Sequence, residues 1–151
     1  MRVTAKADYA VRAAVHLAAA TRLPVRAEDI AECQGIPLSF LVKILHEMRH
    51  AGLVSSQRGP EGGHQLARPA ADISVADVLR AVEGPLADVR GIPPENVSYA
   101  GEAELLQRVW VALRTNVRAV LETVTLADIV EGELPPKVDA LANKPDSWVT
   151  R

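Results

Sequence analysis

The chain has 151 residues, 48% apolar and 24% charged, with a formal net charge of -2, which excludes a large multidomain enzyme and a wholly disordered polymer. Only five residues are aromatic, so the core has to come from Leu, Val, Ile and Ala, a palette that suits helices more than sandwiches. A single cysteine, Cys33, excludes an intramolecular disulfide framework and, within one protomer, a zinc or iron–sulfur site made of cysteines alone.

Residues 4 to about 21 carry apolar side chains among alanines without Gly or Pro, which predicts a helix capped by Thr4. Asp8, Arg12 and His16 interrupt its apolar run, so it is neither a signal peptide nor a membrane span. No other stretch of about 18 uncharged apolar residues occurs, and a soluble, cytoplasmic protein with no membrane partner is expected. After the break at Leu23-Pro24-Val25, residues 26–33 read as a short helix with Ile30 and Ala31 inward and acids near its start. Gln34-Gly35-Ile36-Pro37 is a turn in which Gly35 can take φ > 0 and Pro37 can start the next helix. From residue 38 or 39 to 51, Leu41, Ile44, Leu45 and Met48 follow the i, i+3, i+4, i+7 spacing of one buried face.

Gly52 ends this helix, residues 53–56 read as a short strand, RGPEGG as a turn cluster and residues 64–67 as a returning strand. Ser74-x-x-Asp77 then resembles a capping box opening a helix over residues 74–83, with Val75, Val78, Leu79 and Val82 on one face. Residues 85–100 hold three prolines and no sustained period, and read as a loop. From residue 102 to about 124, Leu106, Trp110, Leu113, Val117, Val120 and Val124 recur at steps of 4 and 3, the average spacing of a coiled-coil seam. Such a helix runs about 33 Å and needs a partner for its seam. A Thr125-capped short helix ends near Gly132, and residues 135–151 read as a flexible tail.

Two short helices joined by a four-residue turn and followed by a hairpin form the layout of a winged helix-turn-helix, whose second helix enters the DNA major groove. Opposite the apolar stripe of that helix lie Ser39, Lys43, His46 and His50, with Arg49 alongside. A merely solvated face is the alternative, and the wing argues against it. Arg58, Gly59, Gly62, Gly63 and His64 combine a cation with a thin backbone that can approach phosphate. Phe40 at the helix start either packs on a sugar or thymine methyl or belongs to the edge of the core. Charge is unevenly divided: residues 1–83 hold ten Lys and Arg against nine Asp and Glu, net +1, and residues 84–151 seven against ten, net -3. The predicted reading head is therefore in the less acidic part.

The run LSFLVKILHEMRHAGLVSSQRGPEGGHQLARPAADISVADVLRAVEG, with the opening MRVTAKADYAVRAAVHLA and the late VTLADI, resembles the Rrf-type family of bacterial transcription regulators over about residues 1–132. The resemblance implies a mainly α fold: a winged helix-turn-helix DNA-binding domain over 1–84, a loop at the family's sensing position over 85–101, and a dimerisation helix with a short following helix over 102–134. It implies a dimeric DNA-binding protein, with DNA contacts from Ser39, Phe40, Lys43, Arg58, Gly59, Gly62, Gly63 and His64, and a homodimeric repressor on a double-stranded operator is expected. The long helix would pair with its twofold mate. Cluster-binding members keep cysteines in the loop before that helix; here residues 85–100 have none, so no cofactor is expected. Asp8 stands where some members supply a carboxylate ligand from the partner subunit, but a hard oxygen alone cannot retain an iron–sulfur cluster, and Asp8 reads as a helix-surface or interface residue.

Three other features keep alternatives open. HEMRH, residues 46–50, matches the zincin string, but both histidines would lie on the groove-facing side with no third ligand, and an enzyme is not expected. Cys33, in the first helix of the pair, reads as a small buried hydrophobe. The regulatory signal is an unidentified effector or protein partner; Trp110 and Tyr99 are candidates for a ligand pocket, although Trp110 reads first as core or dimer seam.

Overall fold

Thr4 starts the first helix by accepting the Ala7 amide on its hydroxyl at 3.1 Å, so one of the unpaired donors of the first turn is satisfied. The computed structural model describes residues 2–150, and among these residues are seven α-helices, four short 3-10 turns and one hairpin. In chain order these are α1 (Ala5–Ala19), α2 (Ala27–Gln34), α3 (Leu38–His50), β1 (Val54–Gln57), β2 (Gly63–Leu66), α4 (Val75–Glu83), α5 (Leu106–Leu121), α6 (Leu126–Glu131) and α7 (Pro136–Ala142).

The inward face of α1 is Ala7, Ala10, Ala13, Ala14 and Leu17. Its small side chains let α3, α4 and α6 pack closely around it. Ile30, Leu41, Ile44, Leu45, Met48, Ile73, Val78 and Leu126 complete one continuous core. Gly35, in the left-handed region at φ 62°, ends α2, and the buried Ile36 donates its amide to the Ala31 carbonyl at 3.0 Å. That compact stop turns the chain into α3 and sets the helix-turn-helix angle.

The hairpin pairs Val54 with Leu66, Ser55 with Gln65, Ser56 with His64 and Gln57 with Gly63. Val25 adds to its edge: the Val25 amide donates to the His64 carbonyl at 2.8 Å and the His64 amide to the Val25 carbonyl at 2.7 Å. The segment before α2, legible in the sequence only as a helix break, thus ties the wing to the helix-turn-helix.

Ser74 and Thr125 face one another in an antiparallel bridge, and each opens a helix with a reciprocal capping box, Ser74 with Asp77 and Thr125 with Asp128. This pairing shortens the predicted long helix. Thr125 must be extended to cap α6, so α5 ends at Leu121; at its other end Gly101–Ala103 form a separate turn and α5 begins at Leu106, not at residue 102, leaving 16 residues, about 24 Å at 1.5 Å per residue. Val124 is consequently not part of a helical seam; it is buried, and its carbonyl accepts the Val75 amide at 2.9 Å. The predicted frayed tail also differs: Pro135 and Pro136 begin α7, and a further turn over Pro145–Trp148 brings the Trp148 indole to the Ala142 carbonyl.

Candidate nucleic-acid interface

The buried stripe Leu41, Ile44, Leu45 and Met48 fixes the rotation of α3, leaving Ser39, Lys43, His46 and His50 exposed on the opposite face and Arg49 exposed on the flank. Among the described residues, Lys43, Arg49 and Arg58 form no ion pair with an acid, a freedom they share with exposed arginines elsewhere such as Arg22, Arg68, Arg90 and Arg108; what sets the three apart is their place on the outward face and flank of α3 and the tip of the hairpin. Unneutralised cations on one helix and one hairpin tip suit a polyanion, because each phosphate contact releases counterions.

Phe40 takes an intermediate place between the two sequence readings. It is 52% exposed, and its ring meets Tyr9 of α1 edge-on at 6.4 Å between centroids. Below that pair, the Arg12 guanidinium lies 5.1 Å from the Tyr9 centroid, pairs with Asp8 at 3.0 Å and donates to the Gln34 carbonyl at the end of α2. Asp8 is an exposed surface residue engaged by the arginine one turn on.

The wing glycines divide into two kinds. Gly59, at φ 107°, has open space around it and stands beside the exposed Arg58. A Cβ on Gly62 would lie 2.2 Å from the Gln57 carbonyl oxygen, and one on Gly63 2.5 Å from that of Val25. The thinness of Gly62 and Gly63 therefore serves close packing within the wing; only Gly59 leaves the outer surface open for a phosphate. His64 is half-buried, its Nδ1 lies 3.0 Å from the Ser56 hydroxyl, and burial first and the Arg49 cation second hold its pKa below 6.5, against an opposing pull from Glu28. It joins wing, α2 and α3 more than it projects from them.

In the HEMRH string, Glu47 pairs with Lys6 at 2.8 Å while His46 and His50 face outward. Among the described residues, no group of three or more His, Cys, Asp or Glu side chains is placed to hold a metal ion. Cys33 is exposed, not buried: it lies about 200° round α2 from the inward Ala31.

On α5 no residue is fully buried. Leu106, Trp110, Val117 and Val120 are half-buried, and Trp110 donates its indole N–H to the Tyr99 hydroxyl at 3.0 Å, tying it to the preceding loop. The most exposed apolar strip is Leu105 (65%), Val109 (52%) and Leu113 (46%). Leu105 and Val109 escaped the sequence reading, although with Leu113 they recur at steps of four, a helical-face signal.

An iron–sulfur cluster requires thiolates, sometimes with imidazole. Residues 85–100 offer neither. Asp88 accepts the Gly91 amide at 2.7 Å and Glu95 engages Arg114, so these donors do not fit such a cluster.

Residues 3–132 match the Rrf2 family, described as iron-dependent transcriptional regulator. The chain belongs to the Rrf2 family. Among its relatives, the Mycobacterium tuberculosis protein named as an HTH-type transcriptional regulator, Rv1287, is 53% identical over 144 residues, 95% of this chain and 89% of that one. The Escherichia coli HTH-type transcriptional regulator IscR is 35% identical over 134 residues, 88% of this chain and 82% of the other. Among solved structures, CymR, the global cysteine regulator of B. subtilis, superposes with a TM-score of 0.73 at 27% identity, covering 87% of this chain and 98% of CymR. T. potens IscR gives 0.70 at 30% identity, covering all of this chain and 93% of its own. This Rrf2 chain is accordingly a winged-helix, DNA-binding transcription regulator. Among the described residues no helix is long and apolar enough to cross a membrane.

Proposed function

We propose that this Rrf2 regulator acts in the cytoplasm as a homodimeric repressor on a roughly palindromic double-stranded operator, holding no iron–sulfur cluster and catalysing no reaction. The observation that carries this reading is the position of Lys43, Arg49 and Arg58, exposed and free of ion pairs, on the outward face and flank of the second helix of a helix-turn-helix and on the tip of its wing. Ser39 and Lys43 lie in the first half of α3, where base edges are read, with Phe40 and His46 beside them; Arg58 and Gly59 reach the neighbouring backbone. The strip Leu105, Val109 and Leu113 supports pairing of α5 with its mate, which spaces two recognition helices about 34 Å apart. The absence of thiolate and imidazole from residues 85–100 supports cluster-free operation, with the signal arriving through a small molecule or protein partner.

Selection from random duplexes, followed by light scattering of the complex, tests the reading. An inverted repeat carrying two chains is the expected product; a single half-site carrying one chain contradicts it. Iron and acid-labile sulfide assays on anaerobically purified protein test the cofactor. Stoichiometric amounts of both would refute cluster-free operation.

A further inference from the structure

Between the end of α4, residues 85–95 and α5 lies an open cavity of about 640 Å³ lined by Arg80, Arg114 and Arg118 and by two acids, Asp88 and Glu95. Arg114 and Arg118, one turn apart on α5, share a face. The Arg114 side chain is only 15% exposed, and its guanidinium is engaged by the Glu95 carboxylate, whose side chain is 54% exposed. Arg118 reaches Glu122 only at 3.9 Å, and Glu122 is already bound by Arg80. A guanidinium carries five N–H donors in a planar fork, so Arg118 has donors to spare. Asp88 is occupied in its own turn by the Gly91 amide.

Glu95 shows what chemistry the cavity accepts. It is a carboxylate on an exposed loop arm, held by an arginine whose side chain is largely buried, and such pairs are among the stronger charge-assisted contacts. Its carboxyl is held below the usual carboxylate range by a backbone hydrogen bond and then by Arg114, with Arg118 adding to the effect. At 100° per residue the two arginines lie about 100–180° round α5 from the strip Leu105, Val109 and Leu113, so pairing through that strip leaves the cavity open.

We propose that this cavity binds a small dicarboxylate, one carboxylate taking the place of Glu95 on Arg114 and the other engaging Arg118. Displacement of Glu95 leaves the Pro94–Asn96 turn tied to α5 through the Gln107 side chain, which donates to the Glu95 carbonyl at 2.9 Å. As an effector site it rests on the regulator reading above; as a binding site it needs no DNA.

Calorimetric titration of the full chain with succinate at constant ionic strength tests the proposal, with phosphate and sulfate as parallel probes. Saturable binding of one succinate per chain is expected. Glu95→Gln removes the internal competitor and should tighten binding about threefold, whereas Arg114→Gln and Arg118→Gln should each weaken it about tenfold. Circular dichroism verifies folding, and Arg118→Gln, at a more exposed position, serves if Arg114→Gln does not fold. No saturable heat up to about 20 mM in wild type and Glu95→Gln would overturn the proposal. So would phosphate or sulfate binding as tightly as succinate, or weaker binding by Glu95→Gln. Failure of the protein to bind any selected duplex would instead overturn the regulator reading and leave the titration standing.

Discussion

Gly63 lies against Val25 so closely that a Cβ on the glycine would stand 2.5 Å from the Val25 carbonyl oxygen. The contact exists because Val25 bridges to His64, next along β2, and holds the wing against the head of α2. Gly63→Ala should therefore cost about 1–3 kcal/mol, as should Gly62→Ala, whose Cβ meets the Gln57 carbonyl. Gly59→Ala meets open space and bears only the strain of its positive φ, about 1 kcal/mol. Urea unfolding checks the order; Gly59→Ala proving the most damaging would contradict it.

The histidine beside that glycine makes the head sensitive to acid. His64 has its folded-state pKa lowered below 6.5 by burial and by Arg49, so the unfolded chain takes up its proton first on acidification. The stability it contributes is fully present above about pH 6.5 and is lost as pH falls from there through the lowered folded value. Comparing urea midpoints at about pH 7.5 and about pH 5.5, wild type should lose more stability than His64→Gln. Equal losses would show that His64 is uncoupled from folding.

Phe40 and Tyr9 connect the start of the recognition helix to α1, with their ring planes at 78°. A double-mutant cycle with Tyr9→Ala and Phe40→Ala should give a coupling energy of about 0.5–1.5 kcal/mol in denaturant unfolding. Tyr9→Ala should also weaken operator binding, because it loosens the helix that presents Ser39 and Lys43. Strict additivity of the two substitutions would remove the contact from the account.

The paired caps Ser74 and Thr125 hold the starts of α4 and α6 together. Ser74→Ala and Thr125→Ala should each cost about 1 kcal/mol of unfolding free energy. Loss at either site should be visible as a lowered thermal midpoint, and two unchanged midpoints would contradict the capping assignment.

The helix starts at Thr4 and Ser74 and the buried stripe of α3 were legible because they are local: the Thr4 cap, the Ser74-x-x-Asp77 pattern and the spacing of Leu41, Ile44, Leu45 and Met48 each state their role within one or two turns. The end of α5 was not. Val124 continues the apolar spacing of the helix, and only the tertiary pairing of Thr125 with Ser74 removes it to the core. Trp110 illustrates the same ambiguity, since its spacing suits a seam while its indole is taken by Tyr99. Pro135-Pro136, read as a tail, carried a start signal for α7, as proline is pre-organised for the first helical turn. In the candidate site, the outward face of α3 followed from its buried face, but the internal role of Gly62 and Gly63 depended on contacts with Gln57 and Val25 that no local pattern encodes.

The most direct test of the central claim is the salt dependence of operator affinity for wild type, Lys43→Ala and Arg58→Ala, with the oligomeric mass measured alongside. Each variant should bind more weakly, with a logarithmic salt slope shallower by about one and an unchanged mass. Unchanged affinity and slope in both variants would contradict the assignment of α3 and the wing to DNA.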